Sequence, residues 1–284
     1  MDLTLLRYFV AVVEERHVGR AAARLHMTQP PLSRALRRLE SDLGATLLDR
    51  TPHGVAPTRA GEALYDEALD LLDHVERLRT RVRGAAGFPT LTIGTLADTA
   101  DLVSGRLVTA FRREHPHVTV AVHEADLGDP TAGLRSGLVD VALTRTPFDD
   151  TGLSTQVLGS EPVGVVVRAD DPLAARPSVA VGALAGRRWV RLPDGTDWLW
   201  EAYWTGPPPA GDGPVLRTIQ ECLQSVLWNG TSALAPLDQP LPAGLVAVAA
   251  EDRPPSNLVV AWRDDRCTAL VRSFVSLTPS SRPS

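Results

Sequence analysis

The sequence predicts two kinds of structure in one chain. A small helical N-terminal module ends in a two-stranded wing, and a larger α/β domain of two subdomains follows; one long helix joins them. Three observations predict this. Residues 2–57 read as short helices followed by a Pro/Gly turn region. Residues 58–84 hold an uninterrupted helical pattern with apolar positions at 4-3 spacing. From Leu91 onward β-rich runs alternate with helical runs, the pattern of an α/β domain. Gly and Pro at 85–90 read as a hinge and set 91–284 apart as a domain of its own.

The first element is a helix over residues 3–15, with Leu3, Leu6, Val10 and Val13 on one face and Asp2 as its cap. Val18 to Glu40 reads as two helices around a short turn. A helix-turn-helix needs a small residue where its helices cross, and apolar positions that bury each helix against the other. Ala21, Ala22, Leu25, Met27, Leu32 and Ala35 occupy those positions here. His26 stands at the turn, where glycine is often used. Thr28 caps the second helix, and Pro30 and Pro31 fall in its first turn, where a missing N–H costs least.

Such a helix enters the DNA major groove by its N-terminal end. Gln29 suits an adenine edge and Ser33 a base or a phosphate. Arg34 and Arg38 lie one turn apart, as phosphates along a groove wall require. The DNA-facing set is therefore Thr28, Gln29, Pro30, Ser33, Arg34 and Arg38. Residues 47–58 then read as two short strands around a His-Gly turn. This wing adds Arg50 and His53 to the set, though His53 reads equally as an exposed turn residue. An α-hairpin packed into some other core is the plain alternative for 18–40.

In the long helix, Leu64, Ala68, Leu71, Val75, Leu78 and Val82 form a 4-3-4-3-4 seam. Acids come early and arginines late, which suits the helix dipole. A self-dimerising linker is expected; a helix packed on its own chain is the alternative.

The α/β domain begins with Leu91–Leu96, a helix near 101–114, Val118–Val122, a helix near 131–138 and Val139–Thr144. Regular alternation predicts a parallel sheet. Val163–Val167, Trp189–Leu192, Val215–Ile219 and Ser232–Leu234 form a second group. Leu258–Trp262 and a helix at 267–277 return to the first. Two crossings give two subdomains with a cleft between them.

Length and composition fit this reading. The chain has 284 residues, 44% of them apolar. No apolar run approaches the ~18 residues of a membrane span, so no membrane partner is expected. Arg7 interrupts the first apolar stretch, and no basic-then-apolar signal pattern is seen. Cys222 and Cys267 make no disulfide framework, and a reducing cytoplasm is the expected compartment. The net charge is −5, but residues 1–60 hold nine Arg against six acids while 91–284 hold sixteen against twenty-two. That asymmetry points the N-terminal end at a polyanion.

The run Arg20-Ala-Ala-Ala-Arg-Leu-His-Met-Thr-Gln-Pro-Pro-Leu-Ser-Arg resembles the LysR-type transcriptional regulators. So do Leu39-Glu40, Leu43-Gly44, Leu47 to Arg50 and Thr58-Arg-Ala-Gly-Glu62. Over 2–62 the match is specific; over 91–284 it is a resemblance of element order. The resemblance implies a winged helix-turn-helix, a dimerising linker helix and a periplasmic-binding-protein-like domain for a small effector. It commonly implies a homotetramer, on an interrupted inverted repeat of double-stranded DNA that it bends. His17 departs from it, standing where the family usually has serine, and the chain's last part is short and proline-rich.

No Gly-x-Ser-x-Gly, His-Glu-x-x-His, P-loop or Cys-x-x-Cys is present, so neither an enzyme nor a cofactor or metal is expected. In open α/β domains ligands sit at the C-terminal ends of strands. That selects Asp98 and Thr99, Asp126, and Thr144 with Arg145 from the first subdomain, and Thr196, Trp198 and Gln220 from the second. The resemblance singles out Asp98, Thr99 and Arg145. Trp198, Trp200, Tyr203 and Trp204 offer an aromatic wall or a helix core. The expected ligand is small, neutral or weakly acidic, with an apolar or aromatic part. An architectural DNA binder with an empty effector domain, or an α/β solute-binding protein, is the alternative.

Overall fold

The structure, a computed structural model, describes residues 2–51, 54–85, 87, 89–96, 104–207 and 212–278. The side chains of Arg50 and Thr51, and several between 70 and 85, are not among those described. The chain divides into two compact units, Met1–Val82 and Arg83–Ser284.

In the first unit, α1 (Leu3–Glu15) starts where the Asp2 carboxylate accepts the Thr4 N–H at 2.8 Å. Its buried face carries Leu5, Leu6, Phe9 and Val12. Across it lie α2 (Val18–Arg24) and α3 (Gln29–Leu43), which contribute Ala21, Ala22, Leu32, Leu36 and Leu39 to one core. Leu25, Met27 and Ala35 are partly buried in the same cluster, so the six small and apolar positions do meet. His26 takes a left-handed backbone, φ 53°, at the turn.

One cap differs from expectation, and one was not foreseen. Thr28 sits at the N-cap of α3 but makes no side-chain cap bond. His17 does the capping of α2: its Nδ1 accepts the Gly19 and Arg20 N–H groups at 3.0 and 3.3 Å. A neutral imidazole nitrogen supplies the lone pair that a serine hydroxyl would.

The wing is β1 (Leu48–Thr51) paired antiparallel with β2 (Gly54–Pro57). The Glu40 carboxylate accepts the Leu47 N–H at 2.9 Å and ties the wing's root to α3. Gly54 is required: φ is +135°, and a Cβ there would lie 2.2 Å from the Arg16 carbonyl oxygen. That same carbonyl accepts the Val55 N–H at 3.0 Å. α4 (Arg59–Ala85) follows, with the Thr58 hydroxyl accepting the Gly61 N–H at 3.0 Å in its first turn.

The second unit has two lobes. The first is built from β3 (Thr90–Thr95), α5 (Ser104–Glu114), β4 (Thr119–Glu124), β5 (Val141–Arg145) and β6 (Leu153–Glu161). The second holds β7 (Val163–Arg168), β8 (Ser178–Val179), α6 (Trp198–Trp204), α7 (Ile219–Asn229), β9 (Ala233–Pro236) and β10 (Leu245–Ala250). The chain then returns through β11 (Ser256–Arg263) and α8 (Ala269–Ser276). Pro162 alone makes the outward crossing, and 251–255 the return.

The described strands of the first lobe form a five-stranded sheet of order β4-β3-β5-β11-β6. β3 pairs parallel with β4 and β5, but β11 runs antiparallel between β5 and β6. The sheet is therefore mixed, where alternation alone predicts a parallel one. The returning strand arrives from the other lobe and not through a crossover helix, which frees its direction. Leu91, Ile93, Val141, Leu143 and Val260 bury against Leu107 and Phe111 of α5 and Phe274 of α8.

The helix expected near 131–138 is a run of turns. Ala132, Gly133 and Gly137 take positive φ, which ends any helix, and the Asp129 carboxylate caps the Thr131 and Gly133 N–H groups instead. The second sheet has the order β8-β10-β7-β9. Along β7, Val163, Val165 and Val167 face α6 while Val166 faces α7, the two-residue period of a strand buried on both sides. Trp189–Leu192 and Val215–Ile219 are not strands: only the bridges Trp189 to Ser232 and Arg191 to Val215 form. Ile219 already belongs to α7.

Candidate functional site

The exposed side of α3 gathers most of the expected DNA-facing side chains. Leu32, Leu36 and Leu39 hold the helix in the core, so the positions between them point out. Thr28, Gln29, Pro30, Arg34 and Arg38 are exposed and Ser33 is half-buried. Among the described residues Arg34 makes no hydrogen bond or ion pair, while Arg38 lies close enough to Asp2 to help hold that carboxyl low. Arg37 donates back to the Ser33 carbonyl at 3.2 Å. Arg50 lies on β1, its side chain outside the described set, and His53 lies outside the described residues altogether.

The linker positions divide. Ala68 is buried in the first unit's own core, and Leu64 packs partly against it. Val75 is half-buried, while Leu71, Leu78 and Val82 are 39%, 50% and 59% exposed. Only the later part of the seam stands open on this chain.

In the second unit several of the expected ligand residues are already engaged with other groups of the chain. Thr144 is fully buried, and its hydroxyl donates to the Pro130 carbonyl at 2.6 Å. Arg145 is 2% exposed and pairs with Glu161 at 2.6 Å. Asp126, beyond β4, accepts from Arg217 of the second lobe at 2.9 Å and from the Gly128 N–H. Beside it the Arg217 carbonyl accepts the Leu127 N–H at 2.7 Å. Thr196 donates to the Pro193 carbonyl within its own turn. Gln220 is exposed on α7, and Trp198 is 70% exposed. Asp98 and Thr99 lie outside the described residues.

A cavity does open where the two lobes meet. Its empty volume, mouth included, is about 620 Å³. Leu96, Leu127 and Arg145 line it from the first lobe; Val166, Leu234 and Trp204 are among those lining it from the second. Trp200 lines it too, and its indole N–H donates to the Leu127 carbonyl at 3.0 Å. The aromatic wall is thus Trp200 and Trp204, ring centroids 5.3 Å apart, and not Trp198. Helical phase decides this, since Trp198 precedes Trp200 by two residues and lies on the opposite side of α6. Asp197 fixes that phase by accepting the Leu199 and Trp200 N–H groups.

Three residues at this place were not among those expected. Glu161 ends β6, a strand not expected from the sequence. Burial, with the adjacent Asp238 carboxyl, pushes Glu161 above its usual range against the pull of Arg145. Glu161 stands behind Arg145, while Gln239 and Cys222 line the cavity themselves. Burial pushes the Cys222 thiol up to about 12, so it is not a thiolate at neutral pH.

Comparison with known families bears on both units. The family profile described as "Bacterial regulatory helix-turn-helix protein, lysR family" matches residues 3–62, and "LysR substrate binding domain" matches residues 86–279. The chain belongs to the LysR family. Among curated LysR relatives, the regulator YnfL of Escherichia coli is 36% identical over 194 residues, 67% of this chain and 65% of its own length. BenM of Acinetobacter baylyi is 33% identical over 174 residues, 61% of this chain and 57% of its own. These alignments thus span less than two thirds of the relatives they match. A solved full-length BenM variant shares the fold with a TM-score of 0.54 and 25% identity, over 98% of this chain and 95% of that one. A cysteine-to-serine variant of Corynebacterium glutamicum OxyR, described as bound to hydrogen peroxide, gives 0.51 and 26%, over 98% and 91%.

Proposed function

We propose that this chain is a sequence-specific, DNA-binding transcriptional regulator whose activity is set by a small molecule bound between the lobes of its second unit. Residues 1–57 read the DNA, 58–84 link two copies, 85–90 form a hinge and 91–284 bind the effector. The observation that carries this is the exposed N-terminal end of α3, where Gln29 and Arg34 project from a helix fixed by Leu32, Leu36 and Leu39. The LysR membership and the cavity between the lobes support the regulatory half of the reading. The target is an interrupted inverted repeat in the cytoplasm, contacted by a dimer or tetramer.

Gel shifts on the intergenic DNA beside the chain's own gene test this directly. Gln29→Ala relaxes base preference at a cost of about 1–3 kcal/mol on the cognate site alone. Arg34→Ala weakens binding on every sequence and lowers the salt slope by about one unit. Equal losses on cognate and scrambled DNA for Gln29→Ala would remove it as a base reader. A footprint that no metabolite alters would favour an architectural DNA binder instead. A peroxide-sensing reading, suggested by the OxyR relatives, draws no support from Cys222, whose thiol burial pushes up to about 12.

A further inference from the structure

The turn that joins α1 to α2 carries two side-chain donors that the fold leaves unused. Arg16 takes a left-handed backbone there, φ 49°, and its side chain is exposed. Among the described residues that side chain makes no hydrogen bond or ion pair. The acids beside it are matched by other arginines: Glu14 pairs with Arg24 at 2.5 Å, and Glu15 lies 3.6 Å from Arg20 and 3.5 Å from Arg24.

His17, also exposed, is the second. Its Nδ1 already accepts the Gly19 and Arg20 N–H groups. A neutral imidazole has one acceptor nitrogen and one N–H, so the proton stands on Nε2. The two ring nitrogens point apart, and this donor faces away from the first turn of α2. The backbone of α2 is not the site, because its Gly19 and Arg20 N–H groups are consumed by His17.

The wing fixes where this turn sits. The Arg16 carbonyl accepts the Val55 N–H at 3.0 Å. Gly54, which begins β2, lies so close that a Cβ there would stand 3.9 Å from the His17 Cα. In a helix-turn-helix the first helix of the motif crosses the DNA backbone while the second enters the groove. With α3 as the groove helix, the start of α2 meets the backbone beside the wing.

We propose, on the reading of the first unit as a DNA binder, that Arg16 and His17 form a second contact to the DNA, separate from α3, on backbone phosphates next to the wing. Arg16 supplies a charged fork and His17 a neutral Nε2–H donor. The cap and the phosphate contact use different nitrogens of one ring, so α2 stays capped when DNA is bound.

Gel shifts of the full-length protein over a salt series, on the intergenic DNA and on scrambled DNA, test this. A cation on a phosphate releases counterions, and a neutral donor does not. Arg16→Ala is expected to weaken binding on both DNAs and to lower the salt slope by about one unit. His17→Ser keeps a capping oxygen but not the reach of the imidazole. It is expected to bind both DNAs roughly 3- to 10-fold more weakly, the worth of one hydrogen bond, with the salt slope unchanged. Its thermal unfolding should match that of the unaltered protein, which separates a lost contact from a lost cap. Ethylation of single phosphates locates the contact: some that weaken binding of the unaltered protein should no longer matter to the Arg16→Ala, His17→Ser double variant. An unchanged salt slope in Arg16→Ala, an unchanged affinity in His17→Ser, or an identical interference pattern in the double variant would each overturn the proposal. Arg34→Ala, run alongside, tells the two readings apart. Loss of affinity in Arg34→Ala but not in Arg16→Ala overturns the second contact alone, and no loss in either overturns the reading of α3 as well.

Discussion

The guanidinium of Arg145, at the end of β5, meets the carboxylate of Glu161, at the end of β6, at 2.6 Å. Both strands flank β11, where Leu258 pairs with Arg145 on one side and Gly159 on the other. One residue beyond Glu161 the chain crosses to the second lobe. The pair therefore joins two strands of the first lobe next to the crossing at Pro162.

Removing one partner of such a pair strands a buried charge. Glu161→Leu is expected to cost about 3 kcal/mol, because the side chain of Arg145 is 3% exposed and loses its counter-charge. Arg145→Met with Glu161→Leu should cost much less than either single change. Urea unfolding of the three variants measures this. A double variant as unstable as the sum of the singles would show that the two side chains do not depend on each other.

His17 caps α2 through a lone pair on Nδ1, so the residue that stands in place of serine performs the same task. His17→Ala should destabilise the first unit by about 1 kcal/mol, and His17→Ser should retain nearly all of that stability. Thermal unfolding of the two variants is the measurement. Equal losses would mean that the imidazole contributes through packing and not through the cap.

The first unit was legible in the sequence because local rules decide it. Ala21, Ala22, Leu32 and Leu39 follow helical spacing, and the turn residue His26 takes the left-handed backbone that position demands. The second unit was legible in its order of elements but less so in its site. β6 and β10 escaped because one face of each is half-exposed, which blurs the alternation that marks a strand. Thr144 and Arg145 were found at a strand end, yet what they do is set by Pro130 and Glu161, distant partners that no local pattern reveals. Trp204 sits in a visible aromatic run, but only the fold shows that it, and not Trp198, lines the cavity.

The split along α4 yields opposite expectations for neighbouring seam positions. Leu71 and Leu78 are exposed on this chain, so Asp at both should leave the first unit folded while breaking any dimer built on the helix. DNA affinity should fall with it, since two half-sites are no longer held together. Ala68 is buried in the first unit's core, so Ala68→Asp should unfold that unit itself. Sedimentation and circular dichroism separate the two outcomes. An unaltered dimer carrying Asp at 71 and 78 would place self-association elsewhere.

Two pairs of carboxyls, one pair in each lobe, are expected to respond to acid in opposite directions. In the second lobe burial raises Asp252, but the Gly182 and Val181 N–H groups it accepts at 2.9 and 2.7 Å prevail and hold it below its ordinary 3.8. Asp171 is likewise held low: burial is outweighed by Arg187 and the Leu173 N–H. A carboxyl whose folded pKa is depressed binds fewer protons folded than unfolded. Its stabilisation is complete above the unfolded value and is lost as pH falls through the folded one. In the first lobe burial raises Asp140 above 3.8 despite the Thr92 N–H, and Glu161 above 4.5. These bind more protons folded, so their contribution is complete below the unfolded value and is lost as pH rises through the folded one. Acidification from about pH 6 toward pH 3 should therefore loosen the second lobe while these two groups favour the first. Hydrogen exchange resolved by peptide along that series measures both lobes at once. Protection should fall around 171–182 and 252 before it falls around 92 and 140. Asp252→Asn should remove part of the second lobe's acid sensitivity, and an unchanged profile in that variant would show that the cap at Val181 and Gly182 is not what acid releases.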